Sequence, residues 1–88
     1  MSTIDKLPEP SFEVLTQVLA GPCFVHLGLV PNPETGGTDR DLDQARWCLA
    51  LLHVFEEKVR GNLSADERAM IDRLLHELRQ VYTAAKSA

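Results

Sequence analysis

The run VLTQVLAGPCFVHLGLV, from Val14 to Val30, decides how this chain must fold. It contains no Asp, Glu, Lys or Arg, although charged residues make up 25% of the 88-residue sequence. Water solvates such a segment poorly on every side, so other parts of the chain or another molecule must cover it. The run therefore predicts a buried helical element around which the rest of the chain is arranged.

Helical spacing of apolar residues predicts an all-α, antiparallel three-helix domain. The first helix is expected over residues 11–29, with Ser11 as its N-cap. The sequence Gly21-Pro22 predicts a break or kink near residues 20–22, because a proline inside a helix removes one hydrogen bond and clashes with the preceding turn.

The second and third helices are predicted over residues 39–60 and 64–84. Gly61 follows the second helix in the position that favours a glycine, and Ser64-Ala-Asp-Glu67 is a capping box that starts the third. Residues 1–10 have no apolar period and contain two prolines, so a flexible lead-in is expected before a single helical domain over residues 11–88.

Charge and cysteine content narrow the classes of function. The formal net charge of -4 argues against nucleic-acid binding. The uncharged run is short for a membrane span and is interrupted by Gln17, Pro22 and His26, so no membrane association is expected. Without a basic and apolar leader, Cys23 and Cys48 are expected to be reduced thiols in the cytoplasm.

A metal site is the sharpest chemical hypothesis. Cys23-x2-His26 and Cys48-x4-His53 supply the sulfur and nitrogen ligands that structural zinc uses. Positions 23 and 26 differ by about 60° around a helix and can converge, but positions 48 and 53 differ by about 140°. The cysteines are therefore predicted to be small buried hydrophobic residues. Motifs for nucleophilic or phosphate chemistry are absent from the sequence, so no catalytic residue and no cofactor is predicted.

The connection Pro31-Asn-Pro-Glu-Thr-Gly-Gly-Thr38 is rich in turn-forming residues. Loops often carry binding residues, which makes Asn32, Glu34 and Thr35 candidate contacts. The alternative is a stiff linker that fixes how the first helix meets the second, and this is the interpretation that we favour.

Several segments resemble a bacterial family catalogued as domain of unknown function 1844, and the resemblance covers nearly the whole chain from Pro10 onward. It implies a small helical protein of uncharacterised activity and brings no catalytic or binding residue. Gly21-Pro22-Cys23 departs from the family's usual pattern, which is an unbroken helix at that point. The matching segments are Pro10-Ser-Phe12, His26-Leu-Gly28, Pro31-Asn-Pro-Glu-Thr-Gly36, Asp41-Leu42, Lys58, Gly61-Asn-Leu-Ser64, Glu67, Leu78-Arg79 and Tyr82.

An imbalance of apolar surface favours an interaction role. The second and third helices each present one apolar stripe, whereas the first is apolar almost all round, and two stripes cannot cover a full cylinder. The sequence predicts a cytoplasmic interaction or assembly module that self-associates through the first helix, as a dimer, or that binds another protein. The alternative is a small metal-binding protein or enzyme that uses Cys23, His26 and Cys48. The predicted interaction residues are Val14, Val18, Val25, Leu29 and Trp47.

Overall fold

Three helices, α1 (Phe12–His26), α2 (Leu42–Val59) and α3 (Ala65–Ser87), pack against one another in pairs. The computed structural model describes residues 7–87, and no strand occurs within them. The predicted all-α, three-helix class is therefore confirmed. The part of the predicted lead-in that falls on residues 1–6 lies outside the described residues, and residues 7–10 are non-helical and exposed.

Both ends of α1 follow from local chemistry. Ser11 caps the start, because its hydroxyl oxygen accepts a hydrogen bond from the Val14 amide at 3.1 Å. Gly28 has φ +75° and ends the helix, with its amide donating to the Val25 carbonyl and the Leu29 amide to the Phe24 carbonyl. The helix therefore stops at His26, three residues before the expected end at residue 29.

Of the break or kink predicted near residues 20–22, the break is wrong, because α1 continues through Pro22, and the kink stays a prediction. Proline has no amide hydrogen, so the carbonyl of Val18 loses its usual helical partner. Both residues are exposed, which lets water reach that carbonyl. Apart from its chain neighbours and the nearby backbone of α1 itself, no atom lies within 4 Å of a Cβ built at Gly21. The backbone beside the proline therefore has room to adjust.

The other two helices begin at capping residues. Asp41 accepts a hydrogen bond from the Gln44 amide at 3.1 Å, which moves the start of α2 from the expected residue 39 to Leu42. The predicted capping box of α3 is confirmed in both directions. The Glu67 amide donates to Ser64 Oγ at 3.1 Å, and the Ser64 amide donates to Glu67 Oε1 at 2.9 Å.

The third helix is longer than predicted, since it reaches Ser87 instead of residue 84. Ala84 and Ala85 have high helix propensity, and Lys86 places its Nζ 5.7 Å from the centre of the Tyr82 ring. A cation in the last turn also complements the helix dipole. These local interactions stabilise a last turn that lies beyond the predicted end of the helix.

All three helices contribute to one core of buried apolar side chains. The one buried polar side chain within residues 7–87 is Thr16, whose hydroxyl donates to the Phe12 carbonyl at 2.8 Å and is therefore satisfied. The described chain measures 39 × 37 × 16 Å, so it is thin in one direction and its core is small. The buried core residues are Ala20, Cys23, Leu27, Ala45, Cys48, Leu49, Leu52, Ile71, Leu75 and Leu78.

Candidate functional site: the outer apolar face of α1 and α2

Two contacts fix how α1 lies against α2. The rings of Phe12 and Phe55 stack with their centres 5.5 Å apart, and the thiols of Cys23 and Cys48 share a hydrogen bond. The start of α1 therefore meets the end of α2, and the two helices are antiparallel. This register places Leu19 at the level of Leu51 along the pair.

The third helix covers one side of this α1–α2 pair. Gln17 of α1 lines a groove with Arg73 of α3, and Glu56 of α2 lines another with Ile71 of α3. Gln17 and Glu56 therefore mark the sides of α1 and α2 that face α3. Leu15 and Leu19 lie about 160° from Gln17 around α1, and Trp47 and Val54 lie about 160–180° from Glu56 around α2. These residues point away from α3, where the described chain contains no further element.

The side that faces away from α3 is apolar on both helices, and we call it the outer face. Its large side chains are exposed by between 41% and 67%, the highest value being that of Val18. Ala50 lies among them and is also exposed. The outer face consists of Leu15, Val18, Leu19 and Pro22 on α1 and Trp47, Ala50, Leu51 and Val54 on α2.

The structure places two of the five predicted interaction residues on the outer face. Val18, which is 67% exposed, lies at the edge of its α1 part, and Trp47, which is 60% exposed, lies on its α2 part. Val14 and Val25 are half-buried on α1. Leu29 is exposed but lies beyond the end of α1. An interface role for these residues remains a prediction, and the structure joins Val18 and Trp47 into one surface.

Sequence reasoning missed the other six members of that surface: Leu15, Leu19, Pro22, Ala50, Leu51 and Val54. Leu51, for example, is 48% exposed. The available signal was a second apolar row on α2 at positions 47, 51 and 54, which have helical spacing of their own. A helix with two apolar rows has two sides to cover, and α3 covers one of them.

The two cysteines form a buried pair of thiols inside the α1–α2 contact. Neither is in a disulfide. The pKa of the Cys23 thiol is raised from 9.0 to about 12, mainly by burial and in smaller part by the charge of the neighbouring Cys48 and a hydrogen bond with it. A thiol with such a pKa stays protonated near neutral pH, whereas a metal-binding or nucleophilic cysteine must be a thiolate.

The structure brings Cys23 and Cys48 together but, within the residues that it describes, adds no third ligand for the alternative metal site on Cys23, His26 and Cys48. Across residues 7–87, no three His, Cys, Asp or Glu side chains are placed to hold one ion. His53 projects from the exposed side of α2, where its Nε2 lies 3.3 Å from Glu57 Oε1. The helical angles that separated Cys48 from His53 in the sequence also separate them in the structure.

The connection between α1 and α2 satisfies its own polar groups. Asn32 Oδ1 accepts from the Glu34 amide at 2.8 Å, and the Asn32 amide donates to the Gly37 carbonyl at 2.7 Å. Thr35 Oγ1 accepts from the Gly37 amide at 3.2 Å. The Asp41 amide also donates to the His26 carbonyl at 2.8 Å, which ties the two helix ends together. These bonds favour the linker interpretation over a binding loop.

A cleft of about 580 Å³ lies between this connection and the end of α1. Pro22, Val25 and His26 line it from the helix, and Pro31 and Asn32 line it from the connection. Its lining is mainly apolar, with Glu34 as a further polar residue. Oδ1 and the backbone amide of Asn32 are already bonded within the loop.

No helix within residues 7–87 combines the length and the apolar character that crossing a bilayer requires. Comparison with known families gives one match: residues 9–84 fit the model of a family described as domain of unknown function (DUF1844). Neither the curated proteins nor the solved structures include a significant match to the chain.

Proposed function

We propose that this chain, which belongs to the family described as domain of unknown function (DUF1844), is an interaction module that self-associates through α1 and the rest of the outer face. The family description specifies no activity, so the proposal rests on the geometry of the structure. The observation that carries this proposal is the continuity of exposed apolar side chains across two helices. Val18 and Trp47 are among the most exposed of them. Contiguous apolar patches of this extent usually mark interaction sites.

The expected energy of association is moderate. Full burial of a Leu or Val side chain contributes about 1.5–3 kcal/mol, so a half-exposed one gains about 1 kcal/mol on association. Six large side chains from each of two subunits then contribute about 12 kcal/mol, against an association cost of about 4–15 kcal/mol. At the low end of that cost the surplus is about 8 kcal/mol, which corresponds to a Kd of about 1 µM, so we expect a homodimer with a Kd of about 1 µM or weaker. The proposed setting is a bacterial cytoplasm, where thiols such as Cys23 and Cys48 stay reduced.

Sedimentation equilibrium on the wild type and on Val18→Glu tests the proposal. A carboxylate on the outer face would be desolvated without a partner in the dimer, so the variant should associate about tenfold more weakly. The matched control is Gln80→Glu, which adds the same charge on the exposed side of α3 and should leave the Kd unchanged. A wild type that stays monomeric at several hundred micromolar would contradict self-association.

A different protein could occupy the same face instead of a second copy. Recovery of a partner from native lysate that binds the wild type and the Gln80→Glu variant but not Val18→Glu would favour that second candidate. Metal content and bound small molecules after native purification without a histidine tag remain the test for the metal-binding or enzymatic alternative.

A further inference from the structure

The exposed row along α2 is complementary to a second copy of itself laid in the opposite direction. It runs Asp43, Trp47, Ala50, Leu51, Val54, Lys58. If a second α2 is laid antiparallel about the midpoint between positions 50 and 51, Asp43 meets Lys58 of the second copy. In the same alignment Trp47 meets Val54, and Ala50 meets Leu51. A row that complements itself in this way is what a twofold, isologous interface requires.

The charges at the two ends of this row are available for such pairing. Asp43 and Lys58 are both exposed, and neither forms an ion pair within residues 7–87. Arg46 and Glu57 lie beside the row, on the same side of α2. When two copies of α2 pack antiparallel, these sides of the two copies lie next to each other. Arg46 of one copy therefore falls near Glu57 of the other, which adds a second pair of opposite charges at each end.

The row on α1 shows the same symmetry. Leu15, Val18, Leu19 and Pro22 pair with themselves about the midpoint between positions 18 and 19, so that Leu15 meets Pro22 and Val18 meets Leu19. Leu15 then contacts Pro22 near each end of the row, and Val18 contacts Leu19 near its midpoint. Apolar contacts therefore extend along the whole row.

The midpoints of the two rows lie at one level of the molecule. In the α1–α2 register, Phe12 lies beside Phe55 and Cys23 beside Cys48. Interpolation between these two contacts places the α1 midpoint directly beside the α2 midpoint. A single twofold axis can therefore pass through both rows, and one rotation brings α1 against a second α1 and α2 against a second α2.

We propose that the partner on the outer face is a second copy of this chain. A twofold axis passes between Val18 and Leu19 on α1 and between Ala50 and Leu51 on α2, so that the two α1–α2 pairs pack face to face as four antiparallel helices. Asp43–Lys58 pairs between subunits lie at the ends of this interface. The inference rests on the proposed self-association and adds its register. Ala50 lies at the axis, where its small side chain allows the two α2 helices to approach closely.

Charge reversal tests the register. Asp43→Lys places two ammonium groups together, because the new side chain faces Lys58 of the other copy. Lys58→Asp places two carboxylates together in the same way, so each variant alone should dimerise about tenfold more weakly at low salt. Mixing the two variants restores opposite-charge pairing in a heterodimer. The equimolar mixture should therefore associate with the wild-type Kd, as measured by sedimentation equilibrium.

The outcomes separate this inference from the proposal beneath it. Weakening of each variant with recovery on mixing supports the register. If the wild type is dimeric and neither charge reversal changes the Kd, the register is wrong but self-association stands. The same conclusion follows if each variant dimerises more weakly and mixing them does not restore the Kd. A monomeric wild type overturns both. Arg79→Glu on the exposed side of α3 is the control for net charge, and circular dichroism checks that each variant keeps its helices.

Discussion

The outer face and the exposed side of α3 are both helix surfaces in contact with solvent, but they have opposite chemistry. The outer face carries Leu, Val and Trp side chains, whereas the exposed side of α3 carries Arg, Glu, Asp and Gln. A short chain with three helices can cover one side of the α1–α2 pair, and α3 does so. The proposed self-association accounts for this difference, since a second copy would cover the side that α3 leaves exposed.

The largest expected effect separates the core from the outer face. Leu75 of α3 is 1% exposed, so Leu75→Ala should lower the free energy of unfolding by about 2–5 kcal/mol through lost burial and a cavity. Leu51→Ala should lower that of the monomer by less than about 1 kcal/mol, because Leu51 is half-exposed. Urea unfolding followed by circular dichroism at low micromolar protein measures both.

The same pair should behave differently in association. Leu51→Ala should weaken self-association at high concentration, whereas correctly folded Leu75→Ala should not change the outer face. Equal losses of monomer stability in the two variants would show that Leu51 packs inside one subunit, and the distinction between core and outer face would then fail.

A smaller effect concerns the inner side of α1. The pKa of Cys23 rises from 9.0 to about 12 on folding because the thiol is buried. The unfolded thiol therefore loses its proton at a lower pH than the folded one, and the unfolded state binds fewer protons between those two values. The stabilisation that this thiol contributes is fully present well below pH 9 and is lost as the pH rises through 9, by about 1.4 kcal/mol at pH 10.

This pH effect is measured as a difference between proteins. Other groups titrate above pH 9 as well, but the Cys23→Ala variant has the same groups. The gap in the free energy of unfolding between wild type and variant therefore reports on the Cys23 thiol alone. The variant should be less stable than the wild type at pH 8, and the gap should narrow by about 1.4 kcal/mol at pH 10. A gap that does not change with pH would mean that Cys23 titrates normally and is accessible to water.

The smallest effect lies at the start of α3. Ser64→Ala removes the oxygen that accepts from the Glu67 amide, and it should lower the free energy of unfolding by about 1 kcal/mol. Thr83→Ala, at an exposed position of the same helix, is the control and should be neutral or slightly stabilising. If the two substitutions had the same effect, the capping box would contribute nothing to α3.

Rules that act within a few residues predicted the fold well. Ser11, Ser64 and Gly61 mark helix ends in the sequence and in the structure, because a cap depends on one side chain or one positive φ. Pro22 is the exception. Its cost depends on whether the freed carbonyl of Val18 is buried, and that exposure is a property of the packed molecule.

The candidate site was only partly predictable for the same reason. The composition of α1 indicated surplus apolar surface, and Val18 and Trp47 were correctly placed among exposed apolar side chains. Leu51 could not be assigned, because α2 has apolar residues on two sides and periodicity does not say which one α3 covers. That choice depends on long-range contacts, such as the one between Phe12 and Phe55.

Acrylamide quenching of tryptophan fluorescence tests the central claim most directly, because Trp47 is the one tryptophan in the sequence and lies on the outer face. If a second copy covers this face, the quenching constant of the wild type should fall as the protein concentration rises through the Kd, and it should stay high in Val18→Glu. A quenching constant that is high and independent of concentration up to several hundred micromolar would contradict the account.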